Sequence, residues 1–371
     1  MAQWSIPPYP PSRHDASFNP PVAHPSHTQY DFPTTENTIT YRRQRRHSFQ
    51  ETRPTFNEPQ VGFHQRPPRP APPRPRSLER TPRRDEGSRS FFKEIARTTI
   101  DAINNGIADV STTQRRTRLY LEDAPELSHW HSNKHGTSKA FAEINILPMT
   151  TLEAAQSLYS QHPRRRIGIL NFASATSPGG GFLSGARAQE ESIARSSTLY
   201  ASLITKAAKP FYRLHAKDER SGFYTHSMIY SPDIYLFRDD NGGWLDPVRV
   251  DVLTSPAVNA GDVRKNLHRR PLAEVERAIC DTMRERMGRI LALFEKKGAR
   301  QLVLGSFGTG VFKNDVYDMA KIWYELLRVP GAPFASSFDY VVFAIPDFST
   351  RQQFALGMDP GMMNAGIGWT V

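Results

Sequence analysis

Two adjacent glutamates, Glu190 and Glu191, follow three consecutive glycines, Gly179–Gly181, across the spacer Phe182 to Ala188. A carboxylate pair can divide acid–base work, one group exchanging a proton with a leaving oxygen while the other binds hydroxyls. Neighbours on a helix point about 100° apart, so the two cannot share one job. With Gln189 they read as the first turn of a helix, where the dipole favours negative charge. The glycines permit φ > 0 and let the backbone approach a ligand, with N–H groups free to face an anion.

A second loop has related chemistry. Gly305-Ser-Phe-Gly-Thr-Gly-Val-Phe-Lys-Asn-Asp315 carries glycines at 305, 308 and 310 and ends in Asn314 or Asp315 as a helix cap. Backbone amides at a helix N-terminus form a phosphate cradle, here without a Walker lysine pattern. His129, His131 and His135 also lie close in sequence, but no cysteine or acidic residue completes a zinc spacing, so they read as a polar loop and no metal is expected.

These loops need a scaffold. Residues 166–172 form a near-continuous apolar run, the mark of a buried strand, and lead into the first loop. Residues 301–305 lead into the second. Further strands are expected at 249–254 and 338–345. Helices are expected at 91–103, where Phe92, Ile95, Thr99 and Ile103 share a face, and at 151–161, 189–204, 271–297 and 314–328. Alternating strands and helices predict an α/β sandwich with a mixed, largely parallel sheet, and ligands bind such sheets at the carboxyl ends of their strands.

Composition divides the chain unevenly. Residues 1–90 hold 17 of the 30 prolines and 14 arginines against 8 acids, and so carry +6 of the net +11. They cannot bury enough apolar surface to fold and read as a disordered tail. Arg42, Arg43, Arg45 and Arg46 form a basic cluster, Ser48 follows it at a spacing that basophilic kinases accept, and residues 66–76 suit polyproline II. The basic tail favours polyanionic partners. Residues 91–150 are expected as a helical and loop extension, 151–349 as the core and 350–371 as a second tail. One cysteine, Cys280, no signal sequence and no membrane-length apolar run point to an intracellular protein, cytoplasmic or nuclear, with no membrane contact.

Two glycine loops at the ends of two core strands, one with a glutamate pair, suggest a diphosphate plus a sugar, the outline of ADP-ribose. Pro178 to Glu191, PGGGFLSGARAQEE, resembles the signature of poly(ADP-ribose) glycohydrolases, three glycines and then Gln-Glu-Glu. LNFASATSPGGGF, ESIARSSTLYASL and GSFGTGVFKND resemble the compact bacterial and fungal branch, and the resemblance covers about residues 91–349. It implies a macrodomain-like three-layer fold, no cofactor, and Glu191 as general acid/base at a ribose–ribose bond. It implies that Glu190 binds leaving-ribose hydroxyls and that Asn171 contacts the distal ribose. Gly179, Gly180, Gly181 and the stretch Gly308, Thr309, Gly310, Val311, Phe312 would cradle the diphosphate, Phe312 against the terminal ribose, with Gln189 beside them. SPAVNAG, 255–261, also resembles the family, without an assigned role. Lys313 departs from the small residue, often glycine, expected there. The implied activity is release of ADP-ribose from poly(ADP-ribose), at the chain end. The alternatives are a mono-ADP-ribosyl hydrolase acting on a protein side chain or ADP-ribose ester, and a non-catalytic ADP-ribose reader.

Overall fold

Ile167–Phe172, buried on both faces, is the central strand of a seven-stranded sheet. The computed structural model describes residues 84–132, 135–136, 140–217 and 219–359. The chain opens with helices α1 (Arg84–Asn104) and α2 (Ser111–Arg116), strand β1 (Arg118–Tyr120), helix α3 (Pro125–Ser128), strand β2 (Glu143–Leu147) and helix α4 (Thr151–Gln161). After β3 (Ile167–Phe172) come α5 (Gln189–Ser196), α6 (Leu199–Leu203), α7 (Lys209–Ala216), β4 (Met228–Arg238) and β5 (Trp244–Ser255). Helices α8 (Ala260–Asn266) and α9 (Leu272–Lys296), β6 (Gln301–Leu304), α10 (Val316–Leu327), β7 (Tyr340–Ala344) and α11 (Phe348–Met358) complete it.

The strand order is β1-β4-β5-β3-β6-β7-β2. β5, β3, β6, β7 and β2 run parallel, β4 lies antiparallel to β5, and β1 antiparallel to β4. Alternate residues of one strand face opposite layers. Ile167 and Ile169 pack with Leu152, Leu158, Ile193 and Phe211 from the α4–α7 side. Leu170 packs with Met287, Ile290 and Trp323 from α9 and α10 on the other. This is a three-layer α/β sandwich, and each fully buried Leu or Ile in it stabilises the fold by about 1.5–3 kcal/mol.

Helix α4 starts and stops where its sequence says. Thr150 accepts the Glu153 N–H and the Glu153 carboxylate accepts the Thr150 N–H, a reciprocal cap. Four features differ from the sequence reading. The helix expected at 189–204 breaks at Ser197 and Thr198: Ser197 Oγ donates to Ile193 O at 2.6 Å, and the Thr198 N–H donates to Tyr235 O of β4 at 3.1 Å. The long strand β4 was not foreseen, because Pro232 and Asp233 interrupt its apolar run at a bulge. The tail boundary at 90 falls inside α1, whose Ile95, Thr99 and Ile103 face the core. The second boundary, at 349, falls inside α11, which is pinned by Arg351 Nη1 donating to Ile345 O at 3.0 Å and by Phe354 against Phe343.

His131 pairs with Glu285 at 2.7 Å and His135 with Glu295 at 2.5 Å, both carboxylates on α9, so these imidazoles fasten their segment to that helix. Among the described residues no group of three or more His, Cys, Asp or Glu gathers as metal ligands. No described helix is long and apolar enough to cross a membrane. The Arg42–Arg46 cluster, Ser48 and segment 66–76 lie outside the described residues.

Candidate active site

A cleft of about 640 Å³ opens at the carboxyl ends of β3, β6 and β7. Gln189, Glu190 and Glu191 stand on one wall, and Gly308, Thr309, Gly310, Val311 and Phe312 on another. The two glycine loops thus share one space. Asn171 and Gly179–Gly181 sit behind the carboxylates rather than on the wall.

Glu190 is buried and held at both oxygens. Oε1 accepts from Asn171 Nδ2 at 3.2 Å, and Oε2 accepts from the Ser174 N–H at 2.6 Å. Burial pushes its carboxyl up to about 8; hydrogen bonds from Ser174, Asn171 and the Gly179 N–H oppose the rise, and the neighbouring Glu191 charge adds to it. Glu191 is differently placed. Its Oε1 accepts from the Gly181 N–H at 2.8 Å, while Oε2, also buried, has no hydrogen-bond partner among the described residues.

The glycines explain this placement. Gly179 (φ 70°) and Gly180 (φ 58°) are left-handed, and a Cβ on Gly180 would collide with the Glu191 carboxylate. The Gly179 and Gly181 amides point at Glu190 and Glu191, and the Gly180 N–H donates to Ser177 O. Two amides of the first loop therefore face the carboxylates. Asn171 is fully buried: Nδ2 also reaches Thr254 Oγ1 at 3.2 Å, so it supports Glu190 from inside the sheet, while its Oδ1 has no partner among the described residues. Gln189, expected at the substrate, uses its amide on the chain itself. Its Oε1 accepts from the Phe172 N–H at 2.9 Å and its Nε2 donates to Leu170 O at 2.8 Å, which pins the start of α5 to β3.

The second loop leaves some of its amides unused by the fold. The N–H groups of Gly310, Val311 and Phe312 make no backbone hydrogen bond among the described residues. Gly308 (φ 78°) leaves no room for a Cβ against Ala257 and Asn314. Asn314 Nδ2 donates to Val258 O at 2.8 Å and Gly308 O at 2.9 Å, and Asp315 caps α10 through the Asp318 N–H. SPAVNAG thereby gains a role, since its backbone is the anchor for this loop. Lys313 is left-handed (φ 60°), which explains why glycine suits the position. Its carbonyl accepts from Arg264 Nη1 at 2.7 Å, its side chain is exposed, and it does not line the cleft.

Several neighbours gave no sequence signal. Asp240 lines the cleft and accepts from Thr150 Oγ1 at 2.6 Å; burial raises its carboxyl above the usual range. Arg195 is buried beside Glu191, with its guanidinium 4.5 Å from the Phe92 ring of α1 and hydrogen-bonded to Ala186 O and Ser192 Oγ. Thr99 Oγ1 donates to Arg195 O at 2.6 Å. Helix α1 therefore braces the carboxylate loop from outside. Arg195 lies within ESIARSSTLYASL, but nothing in that stretch singles it out, and Phe92 is distant in sequence.

A family model described as the microbial-type PARG catalytic domain matches residues 96–239. Comparison with curated proteins finds no match. Among solved structures, the chain is similar to poly(ADP-ribose) glycohydrolase from Thermomonospora curvata, at 39% identity and TM-score 0.65, covering 72% of this chain and 100% of that one. The same bacterial protein bound to the inhibitor ADP-HPD matches at 38% identity and TM-score 0.63, over 72% and 99% of the two chains. The Deinococcus radiodurans poly(ADP-ribose) glycohydrolase in complex with ADP-ribose matches at 31% identity and TM-score 0.58, over 70% and 98%. At 39% identity across the whole of a solved bacterial relative, and with the Gln-Glu-Glu turn facing the second glycine loop across one cleft, this chain belongs to the microbial-type poly(ADP-ribose) glycohydrolases.

Proposed function

We propose that the chain hydrolyses ribose–ribose O-glycosidic bonds of poly(ADP-ribose) and releases ADP-ribose. The observation that carries this reading is the asymmetric carboxylate pair: both groups sit in the cleft, yet only Glu191 has an oxygen without a partner. Glu191 Oε2 delivers a proton to the leaving ribose oxygen as the bond to the anomeric carbon breaks. The ionised carboxylate then takes a proton from the water that attacks the oxocarbenium-like centre. Glu190, raised to about 8, is protonated at neutral pH and offers an O–H to a ribose hydroxyl without adding a second negative charge beside Glu191. The Gly310–Phe312 amides take the diphosphate. A cleft of about 640 Å³ suits one ADP-ribose unit, which supports cleavage at the chain end.

The test is digestion of automodified polymerase by the wild-type chain and by Glu191→Gln, with the products resolved by chromatography. Free ADP-ribose from wild type and a loss of about 100-fold or more in the variant are expected. Equal turnover by both would remove Glu191 from the mechanism. Binding without turnover by wild type would mark a reader.

A further inference from the structure

A second cavity, about 510 Å³, lies at the opposite end of the sheet. Arg166 precedes β3 there, whereas the catalytic loop leaves the other end of that six-residue strand, about 20 Å away. Arg116, Arg118, Arg166 and Lys297 line the cavity together with Tyr120 and Tyr230. Glu126 alone among the lining residues is acidic, and its carboxylate lies 3.8 Å from Lys296.

This wall is built rather than incidental. Asp251, buried beneath it, accepts from Arg166 Nη1 at 3.1 Å, from Tyr230 Oη at 2.5 Å and from the Asp233 N–H at 3.0 Å. Asp233 itself is left-handed (φ 55°) at the β4 bulge, a conformation that a non-glycine residue rarely adopts, and it pairs with Arg116. Two of the lining cations have no ion pair among the described residues. Lys297 Nζ sits 5.0 Å from the Tyr120 ring centroid and 5.4 Å from that of Tyr230, and Arg118 donates only to the carbonyls of Arg115 and Thr117. Neither has a carboxylate partner among the described residues. Positive charge beside aromatic faces, in a space of nucleotide size, is the chemistry that recognises a diphosphate flanked by nucleoside.

We infer that this cavity is a second diphosphate-binding site, which engages a poly(ADP-ribose) unit remote from the scissile bond. The polymer as the source of that unit rests on the function proposed above. A polymer presents one diphosphate per repeat, so a chain whose end enters the cleft can be held at a second point. Such two-site engagement raises apparent affinity without any new contact at the reacting bond.

The experiment uses the full chain with its cleft saturated by ADP-ribose. Inorganic pyrophosphate is titrated by calorimetry into wild type, R118E/K297E and the milder R118Q/K297Q, each checked by thermal melting. Saturable binding by wild type, weakened in both variants, is expected. No saturable binding by wild type, or equal binding by folded variants, overturns the site. Kinetics then separate the ligand's source: KM for long polymer should rise roughly tenfold in R118E/K297E, with turnover of an ADP-ribose dimer unchanged. Lost pyrophosphate binding with unchanged polymer KM assigns the cavity to free diphosphates and overturns the polymer as its ligand. A wild-type chain that binds pyrophosphate there but cleaves neither dimer nor polymer refutes the proposed activity, not the site.

Discussion

Gly310 separates folding from binding more cleanly than any other residue of the site. A Cβ added there meets nothing within 4 Å, and its φ is not left-handed, so the protein does not need glycine at 310 for itself. It lines the cleft, and its amide belongs to the proposed phosphate cradle. Gly310→Ala should therefore melt within about 0.5 kcal/mol of wild type, as a surface substitution does. It should nonetheless weaken ADP-ribose binding measurably, as read by calorimetry; unchanged affinity would move the diphosphate off this loop. Gly180→Ala is the contrast, because its Cβ meets the Glu191 carboxylate before any ligand arrives. The sequence made Glu190, Glu191 and the second loop legible, because rare residue types recur at fixed spacing there. It could not show that the Asn171 and Gln189 amides bond to groups of the chain itself, since an amide that binds ligand and one that staples backbone look alike in one dimension.

Helices and strands were legible where local chemistry and burial agreed. Helix α4 has a capping box and an apolar stripe, and β3 is apolar throughout. Strand β4 was hidden by Pro232 and Asp233, whose bulge is held by the Asp251 carboxylate, a partner 18 residues further on. Helix α1 shows how much a segment read as extension can matter. Besides the Phe92–Arg195 and Thr99–Arg195 contacts, Ser88 Oγ accepts from Arg187 Nη1 at 3.0 Å, and Ala96 is buried with Phe182 and Ala194 of the catalytic loop region. Removing residues 2–83 should leave turnover intact. Removing 2–104 should abolish it and lower the melting temperature, because Phe182 and Arg195 lose their cover. Loss of turnover in the shorter truncation would show that residues 2–83 contribute to activity, and retained turnover in the longer one that α1 is not the brace described here.

At the scale of the whole molecule, one buried carboxyl couples folding to pH. Glu190 titrates near 8 in the folded chain against 4.5 in the unfolded chain, so the folded state binds more protons between those values. Stability from this group therefore falls as pH rises from about 4.5 to about 8, and is level outside that window. Glu190→Gln removes the fall. Melting curves of the two proteins should converge near pH 4–5 and separate by pH 8.5, with the variant more stable by a few kcal/mol. Parallel curves across the range would mean that Glu190 is not held neutral by burial. The three-layer order was readable from alternating elements. The placement of two charged cavities at opposite ends of one sheet was not, because it depends on how β1 and α9 meet across more than 170 residues.

The amide of Gln189 joins the start of α5 to the backbone of β3, and Gly181 ties Glu191 from the other side of the spacer. The proposed acid–base pair is thus clamped at both margins of a short excursion whose tip, Leu183 and Ser184, is exposed. Between those clamps only the tip is open to solvent, because Phe182 and Gly185 on either side of it pack against α1.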